Sequence, residues 1–309
     1  MALYLVTGGC GFIGSHLADA LLARGDRVRI LDDLSSGKRA NAPQGADLII
    51  GDIADTETMC AAMHGVDGCF HLAAVASVQK SLHDWVGTHR TNMYGTVSVF
   101  DAARQAGPVP VVYASSAAIY GDNQSLPLAE SEPPAPLSSY GADKYGNEVQ
   151  GNIAWSVHGV PTTGLRFFNV YGPRQDPSSP YSGVISIFMN RIPNGQPIFV
   201  YGDGEQTRDF IYVGDVARHL MAAMETGSTG ARVFNLCTGR ATSINRLAEI
   251  IAELSDRPLQ VDQKPARDGD IRHSLGQGDR ARRAFGMVPE TRLVDGLRLT
   301  LDAETGINA

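Results

Sequence analysis

The sequence predicts an α/β fold, a doubly wound parallel sheet with a smaller mixed α/β lobe. Three observations carry this. Short apolar runs alternate with longer segments of helical periodicity through the first half of the chain. The first run ends in a glycine-rich turn that opens a helix. After Asn169 the texture changes: Pro173, Pro177 and Pro180 crowd a loop, and later helices alternate with isolated strands.

Taken in order, strands are expected at 3–6, 28–31, 48–50, 68–72, 109–114 and 162–167. Helices are expected at 13–24, where Leu17, Leu21 and Leu22 recur at helical spacing, and at 84–105 and 141–158. Strands separated by helices build βαβ units, and their parallel sheet is covered on both faces. In the second half helices are expected at 216–225, 244–254 and 293–303, and a strand at 233–236 is expected to return to the main sheet. The expected division is a first domain, 1–168 rejoined by 210–240, and a second lobe, 169–209 with 241–309.

The chain has 309 residues, 43% hydrophobic and 19% charged, enough for one large core or two modest ones and unlike a disordered chain. Its apolar runs are too short to span a bilayer, and the opening MALYLVTGGCGFIG lacks the basic start of a secretory signal. Cys10, Cys60, Cys69 and Cys237 form no CxxC pair and read as reduced thiols, so a cytoplasmic location is expected. Net charge is −7 without a basic run, which argues against nucleic acid as a partner. No membrane partner and no metal are expected.

The segment LYLVTGGCGFIGSH places Gly8, Gly9, Gly11 and Gly14 between a strand and a helix. Glycines at this spacing permit the tight turn, the close approach of a pyrophosphate and the packing of helix on strand. The helix start, with Phe12 and Ile13, offers free N–H groups and a positive dipole end to phosphates. There is no GK[ST], so a nucleoside-triphosphate loop is disfavoured. The next strand ends in Asp32-Asp33, about 20 residues on, where a carboxylate accepts ribose hydroxyls and repels a 2′-phosphate. The pattern therefore predicts a Rossmann-type site for NAD rather than NADP. Asp52-Ile53 is expected near the adenine, and Leu72-Ala73-Ala74 beside the cofactor. His71, next to apolar Phe70, reads as a hydrogen-bonded core histidine.

Chemistry in such folds gathers at the carboxyl ends of strands. The fifth strand runs into Ser115-Ser116, and Tyr140 and Lys144 lie four residues apart, on one face of a following helix. Positive charge from the lysine and a cationic nicotinamide is expected to draw the tyrosine pKa down toward working pH, as a general base requires. Ser116 is expected to supply a second hydrogen bond to the substrate oxygen.

With TGGCGFIGSH, LDDLSSGK, HLAA, SSAAIYGD, YGADK, RFFNVYGPRQDP, GDGEQTRDFIYVGDVA and ARDGDIRHSL, the chain resembles the extended short-chain dehydrogenase/reductases of the UDP-hexose 4-epimerase type. The resemblance runs from Leu5 to about Arg283. It implies a tightly bound NAD, a Ser116–Tyr140–Lys144 centre, a UDP-sugar substrate and a homodimer built on helices 84–105 and 141–158. It also implies that Asn92 supports the cofactor side, that Phe168 lies at the nicotinamide and that Asn169 meets the substrate diphosphate. Tyr201 matches a uracil-packing aromatic, Arg208 and Arg267 match UDP-contacting arginines, and Asp270 matches an acid near the uridine ribose. Ser274 matches the position bordering the sugar's C2 substituent, where a small residue leaves room for an acetamido group. Arg174 and Arg191 read as surface arginines. Ala118 departs from the threonine that many members of this family carry.

The implied reaction is inversion of C4 of a UDP-hexose, glucose or galactose and the N-acetylhexosamine pair, through a 4-keto sugar. A 4,6-dehydratase needs an acid pair after the serine, and this chain has Ala117-Ala118 there. UDP-glucuronate 4-epimerisation or decarboxylation, and a non-catalytic NAD sensor on the same fold, stay open as alternatives.

Overall fold

A computed structural model describes residues 1–176, 183–226, 229–266 and 271–305. In chain order the first half holds β1 (Leu3–Thr7), α1 (Phe12–Ala23), β2 (Arg27–Asp32), β3 (Asp47–Ile50), α2 (Thr56–Met63) and β4 (Gly68–His71). Then come α3 (Val78–His83), α4 (Trp85–His89), α5 (Gly95–Gln105), β5 (Val111–Ser116), α6 (Ser139–His158) and β6 (Thr162–Phe167). The second half holds β7 (Asn169–Tyr171), α7 (Val184–Arg191), β8 (Ile198–Tyr201), β9 (Thr207–Tyr212), α8 (Val213–Thr226) and β10 (Ala231–Leu236). It ends with β11 (Ala241–Ser243), α9 (Ile244–Ser255), β12 (Val261–Lys264), α10 (Asp279–Phe285) and α11 (Leu293–Thr305).

Among the described residues the main sheet has seven strands in the order β10-β6-β5-β4-β1-β2-β3, every neighbouring pair parallel. The expected doubly wound sheet is therefore present, and β10 joins it beside β6. Two apolar layers explain why the strands read as nearly continuous hydrophobic runs. On one face Leu17, Ala18 and Leu21 of α1 pack with Val216, Leu220 and Ala223 of α8. On the other, Met59 and Met63 of α2, Val99 and Phe100 of α5 and Ala154 of α6 form a second core. Burying a side chain of this size contributes about 1.5–3 kcal/mol, so each layer holds its helices firmly.

A third core unites Ile185 and Phe188 of α7, Ile198 and Val200 of β8, Leu247 and Ile251 of α9 and Leu297 of α11. It supports two small sheets among the described residues, β11-β9-β7 and β12-β8.

One expected element differs. Residues 84–105 form helix, but α4 and α5 are separated by a π-helical turn over Arg90–Tyr94. The N–H of Gly95 reaches back to the carbonyl of Arg90, and a Cβ on Gly95 would press into Ile53. Periodicity in sequence does not register one widened turn, because the apolar face resumes after it.

Candidate active site

The glycine turn builds the first wall of a cavity of about 540 Å³ at the carboxyl ends of β1, β2 and β4. Gly8 has φ +70°, and a Cβ there would lie 2.7 Å from the Ala73 nitrogen. A Cβ on Gly14 would collide with the Gly8 carbonyl, so glycine alone lets α1 begin against β1. No side chain caps α1 and its first turn carries no acid, which leaves its N–H groups and dipole for an anion. These are the features a pyrophosphate cradle needs, and the residues present fit NAD.

Of the residues expected at the cofactor, Gly8, Gly11, Phe12, Ile13, Gly14, Asp32 and Asp33 line this cavity. So do Asp52, Ile53, Leu72, Ala73, Ala74, Tyr140 and Lys144. Asp32 is buried, and its two oxygens accept from the N–H groups of Cys10 at 2.9 Å and Leu34 at 2.8 Å. Burial raises its pKa, with those two bonds opposing the shift.

Asn92 and Phe168 do not themselves line this cavity. Asn92 is buried and absent from the lining; its side chain bonds both backbone groups of Val75, at 2.8 and 3.1 Å. Phe168 turns to the other side of its strand end and lines only a second cavity, while Phe167 borders both. Successive side chains in extended chain face opposite ways, which explains the one-residue difference. Sequence reasoning missed Ser35, Ser36, Lys38 and Asn41 in the first cavity, although the polar run SSGKRAN after β2 was a signal. It also left Arg174 at the surface; that residue, paired with Asp19 at 2.8 Å, belongs to the cavity wall.

The second cavity, about 450 Å³, is lined by Ser116, Ala118, Asn169, Arg208, His273 and Ser274 among others. Tyr140, Ala76 and Phe167 line both cavities. Ser274 is set there by backbone pairing, its N–H donating to the Thr207 carbonyl at 3.1 Å. The buried Asp209 of β9 accepts from the N–H groups of Thr238, Gly239 and Gly276, tying two loops to that strand. Arg208 donates to the Thr207 carbonyl at 2.9 Å. Tyr201 ends β8, pairs with Lys264 and does not line this cavity. Arg267 and Asp270 lie outside the described residues.

Where the cavities meet, Ser116, Tyr140 and Lys144 come together. Ser138 caps α6 by accepting from the Gly141 N–H at 3.1 Å, and the Tyr140 N–H donates to Ser81 of α3 at 3.2 Å. The Tyr140 phenol is hydrogen-bonded to Ser116, whose hydroxyl also accepts from the Ala118 N–H at 3.1 Å. The Lys144 nitrogen lies 5.9 Å from the Tyr140 ring centre. Burial brings the Lys144 pKa down to about 8, with Asp143 opposing. Burial also raises the Tyr140 pKa, and the Ser116 bond offsets only part of that. This is opposite in direction to the sequence expectation: desolvation of the phenolate outweighs its one stabilising bond in the protein by itself. Among the described residues no cluster of His, Cys, Asp or Glu fits a metal ion.

His71 is buried with both ring nitrogens bonded, and burial together with Lys144 lowers its pKa to about 3.

Comparison with known proteins agrees with this geometry. Residues 4–237 match the NAD dependent epimerase/dehydratase family. The UDP-glucose 4-epimerase of Mycolicibacterium smegmatis is 38% identical over 305 residues, covering 96% of this chain and 97% of that protein. The crystal structure of UDP-glucose 4-epimerase from Thermotoga maritima with UDP-glucose superposes with a TM-score of 0.95 at 38% identity, covering 99% and 100% of the two chains. The UDP-N-acetylglucosamine 4-epimerase of Methanobrevibacter ruminantium, solved with UDP-N-acetylmuramic acid, gives a TM-score of 0.94 at 36% identity over 99% of each chain. The chain belongs to the NAD dependent epimerase/dehydratase family.

Proposed function

We propose that this enzyme inverts C4 of UDP-hexoses, interconverting the glucose and galactose forms and, through the small Ser274, the N-acetylhexosamine pair. The observation that carries the reading is the position of Tyr140 in the common wall of the two cavities, with Ser116 bonded to it and Lys144 one turn along α6. When bound, NAD would supply a hydride acceptor that later gives the hydride back, in the cavity that Tyr140 and Lys144 line.

The chain's own residues do the rest. Tyr140 takes the proton of the sugar 4-hydroxyl, and Ser116 bonds the same oxygen. Lys144 holds positive charge beside the phenolate. The 4-keto sugar turns over in the second cavity, and Tyr140 returns its proton once the opposite face is presented. Arg208 and Asn169, with Arg267, meet the diphosphate, and guanidinium gives a planar, two-point grip on phosphate. Tyr201 and Asp270 serve the uridine, and the lobe formed by 169–209 and 241–309 carries the substrate. Ala117 and Ala118 stand where a dehydratase has its acid pair, which supports epimerisation over elimination.

The reading includes a homodimer. Val149, Ile153 and Val157, spaced four apart on α6, are 47%, 40% and 65% exposed beside the half-exposed Tyr94 and Val97. A continuous apolar stripe of this kind on paired helices suits a second copy of the same face. The four free thiols support a reducing, cytoplasmic setting.

The test is direct. Purified protein is incubated with UDP-glucose, UDP-galactose, both N-acetylhexosamine forms and UDP-glucuronate, and C4 configuration is followed by proton NMR. Inversion without net redox change is expected. Release of carbon dioxide from UDP-glucuronate as the sole reaction, or no turnover of any sugar, overturns the assignment. Sedimentation of the protein against an Ile153→Asp variant checks the dimer.

A further inference from the structure

The segment following β4 touches everything that matters: Leu72 to Ala76 line the first cavity, and Ala76 also lines the second. What holds this segment in place is a chain of hydrogen bonds through the sheet. Thr7 Oγ1 lies 2.8 Å from His71 Nδ1, and His71 Nε2 lies 3.0 Å from Thr96 Oγ1. Thr96 Oγ1 donates to the Asn92 carbonyl at 2.6 Å. The Asn92 side chain then clasps Val75, accepting its N–H at 2.8 Å and donating to its carbonyl at 3.1 Å. At the other end the Ala73 N–H donates to Thr7 Oγ1 at 3.3 Å.

The directions of these bonds are determined, because each hydroxyl has one proton and a carbonyl can only accept. Thr96 spends its proton on the Asn92 carbonyl, so it can only accept from the ring, and Nε2 carries hydrogen. In the neutral ring Nδ1 is then bare, so Thr7 donates to it and keeps a lone pair for the Ala73 N–H. Thr7, His71, Thr96 and Asn92 are all buried, so water offers no substitute partner.

We propose that His71, held as the neutral Nε2–H tautomer between Thr7 and Thr96, is the positioning residue that fixes segment 72–76 as the common wall of the nucleotide and sugar cavities. A neutral imidazole presents one acceptor and one donor on opposite edges, which is what the two threonines require. A second proton on the ring would make Nδ1 a donor and reverse the Thr7 bond, leaving the buried Thr7 hydroxyl proton without the acceptor it now has. Lys144 is the charged group facing the ring, and its charge together with burial keeps the ring neutral. The π-helical turn serves the same device. Across consecutive residues it brings Arg90 to Asp52 at 2.6 Å, Thr91 into the first cavity and Asn92 onto Val75. Adenine-side acid, cavity wall and clasp thus belong to one brace.

This inference rests on the nucleotide cavity holding NAD and is independent of which sugar is turned over. The primary experiment is nitrogen-15 NMR of the histidine rings in the wild-type holoenzyme. His71 is expected to show a protonated Nε2 and a lone-pair Nδ1, without titrating at pH 5 to about 8. A protonated Nδ1, or titration in that range, overturns the proposal. The second experiment measures NAD affinity by calorimetry after nucleotide removal, for Thr96→Val and Thr96→Ser. Valine keeps the shape and loses the hydroxyl, and is expected to weaken NAD by about tenfold or more. Serine is expected to restore it. A purely structural residue would lower the melting temperature in both without this split. Wild-type NAD affinity in folded Thr96→Val overturns the proposal.

Discussion

The Lys144 ammonium donates to the carbonyl of Ala114 at 2.9 Å. That bond is one of three by which α6 grips the end of β5. Glu148, one turn further along the helix, accepts from Ser115, and Tyr140, one turn before, is bonded to Ser116. Three successive strand residues are thus held by three helix residues spaced four apart, and Ser116 and Tyr140 have little freedom to separate.

The base assignment gives the first prediction. Tyr140→Phe should retain NAD and UDP binding while losing epimerisation by at least about a hundredfold, the scale of acid–base catalysis. Steady-state rates alongside calorimetric affinities check both halves. A near wild-type kcat would remove Tyr140 from the mechanism.

Lys144 has a pH signature in the nucleotide-free protein. Its folded pKa is lowered to about 8, whereas the unfolded chain keeps the ordinary lysine value. Between those values the unfolded state binds more protons, so the contribution of Lys144 to stability rises with pH across that window. Below it, with both states charged, the burial penalty is felt in full. Urea midpoints of wild type and Lys144→Met should therefore converge, or shift in favour of wild type, as pH rises from 8 to 10. Parallel curves would mean that the lysine titrates normally.

The Glu148–Arg166 pair beneath the active site predicts a stability effect. Both side chains are buried, with Arg166 bonding the carboxylate at 2.7 and 2.9 Å and Tyr120 at 2.7 Å. Glu148→Ala leaves a buried guanidinium uncompensated and should cost about 3–5 kcal/mol. Equilibrium denaturation measures it; a loss under about 1 kcal/mol, the worth of an exposed pair, would contradict the buried geometry.

Cofactor choice follows from Asp32. Its carboxylate lies in the cavity wall, so a 2′-phosphate would meet a buried like charge. Titration of nucleotide-free protein should show NAD binding more tightly than NADP by at least about tenfold. Equal affinities would mean that Asp32 does not face the ribose.

Ser274 lines the second cavity, and the proposed role is to leave room for the sugar's C2 substituent. Ser274→Tyr should suppress turnover of the N-acetylhexosamine forms while sparing UDP-glucose and UDP-galactose, because a phenol would fill the space an acetamido group sweeps. Competing-substrate NMR reads the ratio. A wild-type enzyme that inverts UDP-galactose briskly but leaves UDP-N-acetylgalactosamine untouched would end this account of the residue.

The sequence by itself determined the architecture and the candidate reacting groups. Glycines at 8, 11 and 14, the acid at 32 and the Tyr140/Lys144 spacing are local patterns, and local patterns survive without coordinates because backbone sterics and helix pitch set them. Tertiary structure decided what depends on distant partners. It decided that Asn92 clasps Val75 instead of lining the cavity, and that Phe167 rather than Phe168 reaches the nucleotide cavity. It also gave Tyr140 a raised pKa, through burial against segments far away in the chain. Desolvation and hydrogen-bond direction are sums over neighbours, and neighbours 17 or 25 residues apart, as Asn92 is from Val75 and Thr96 from His71, meet only when the chain has folded.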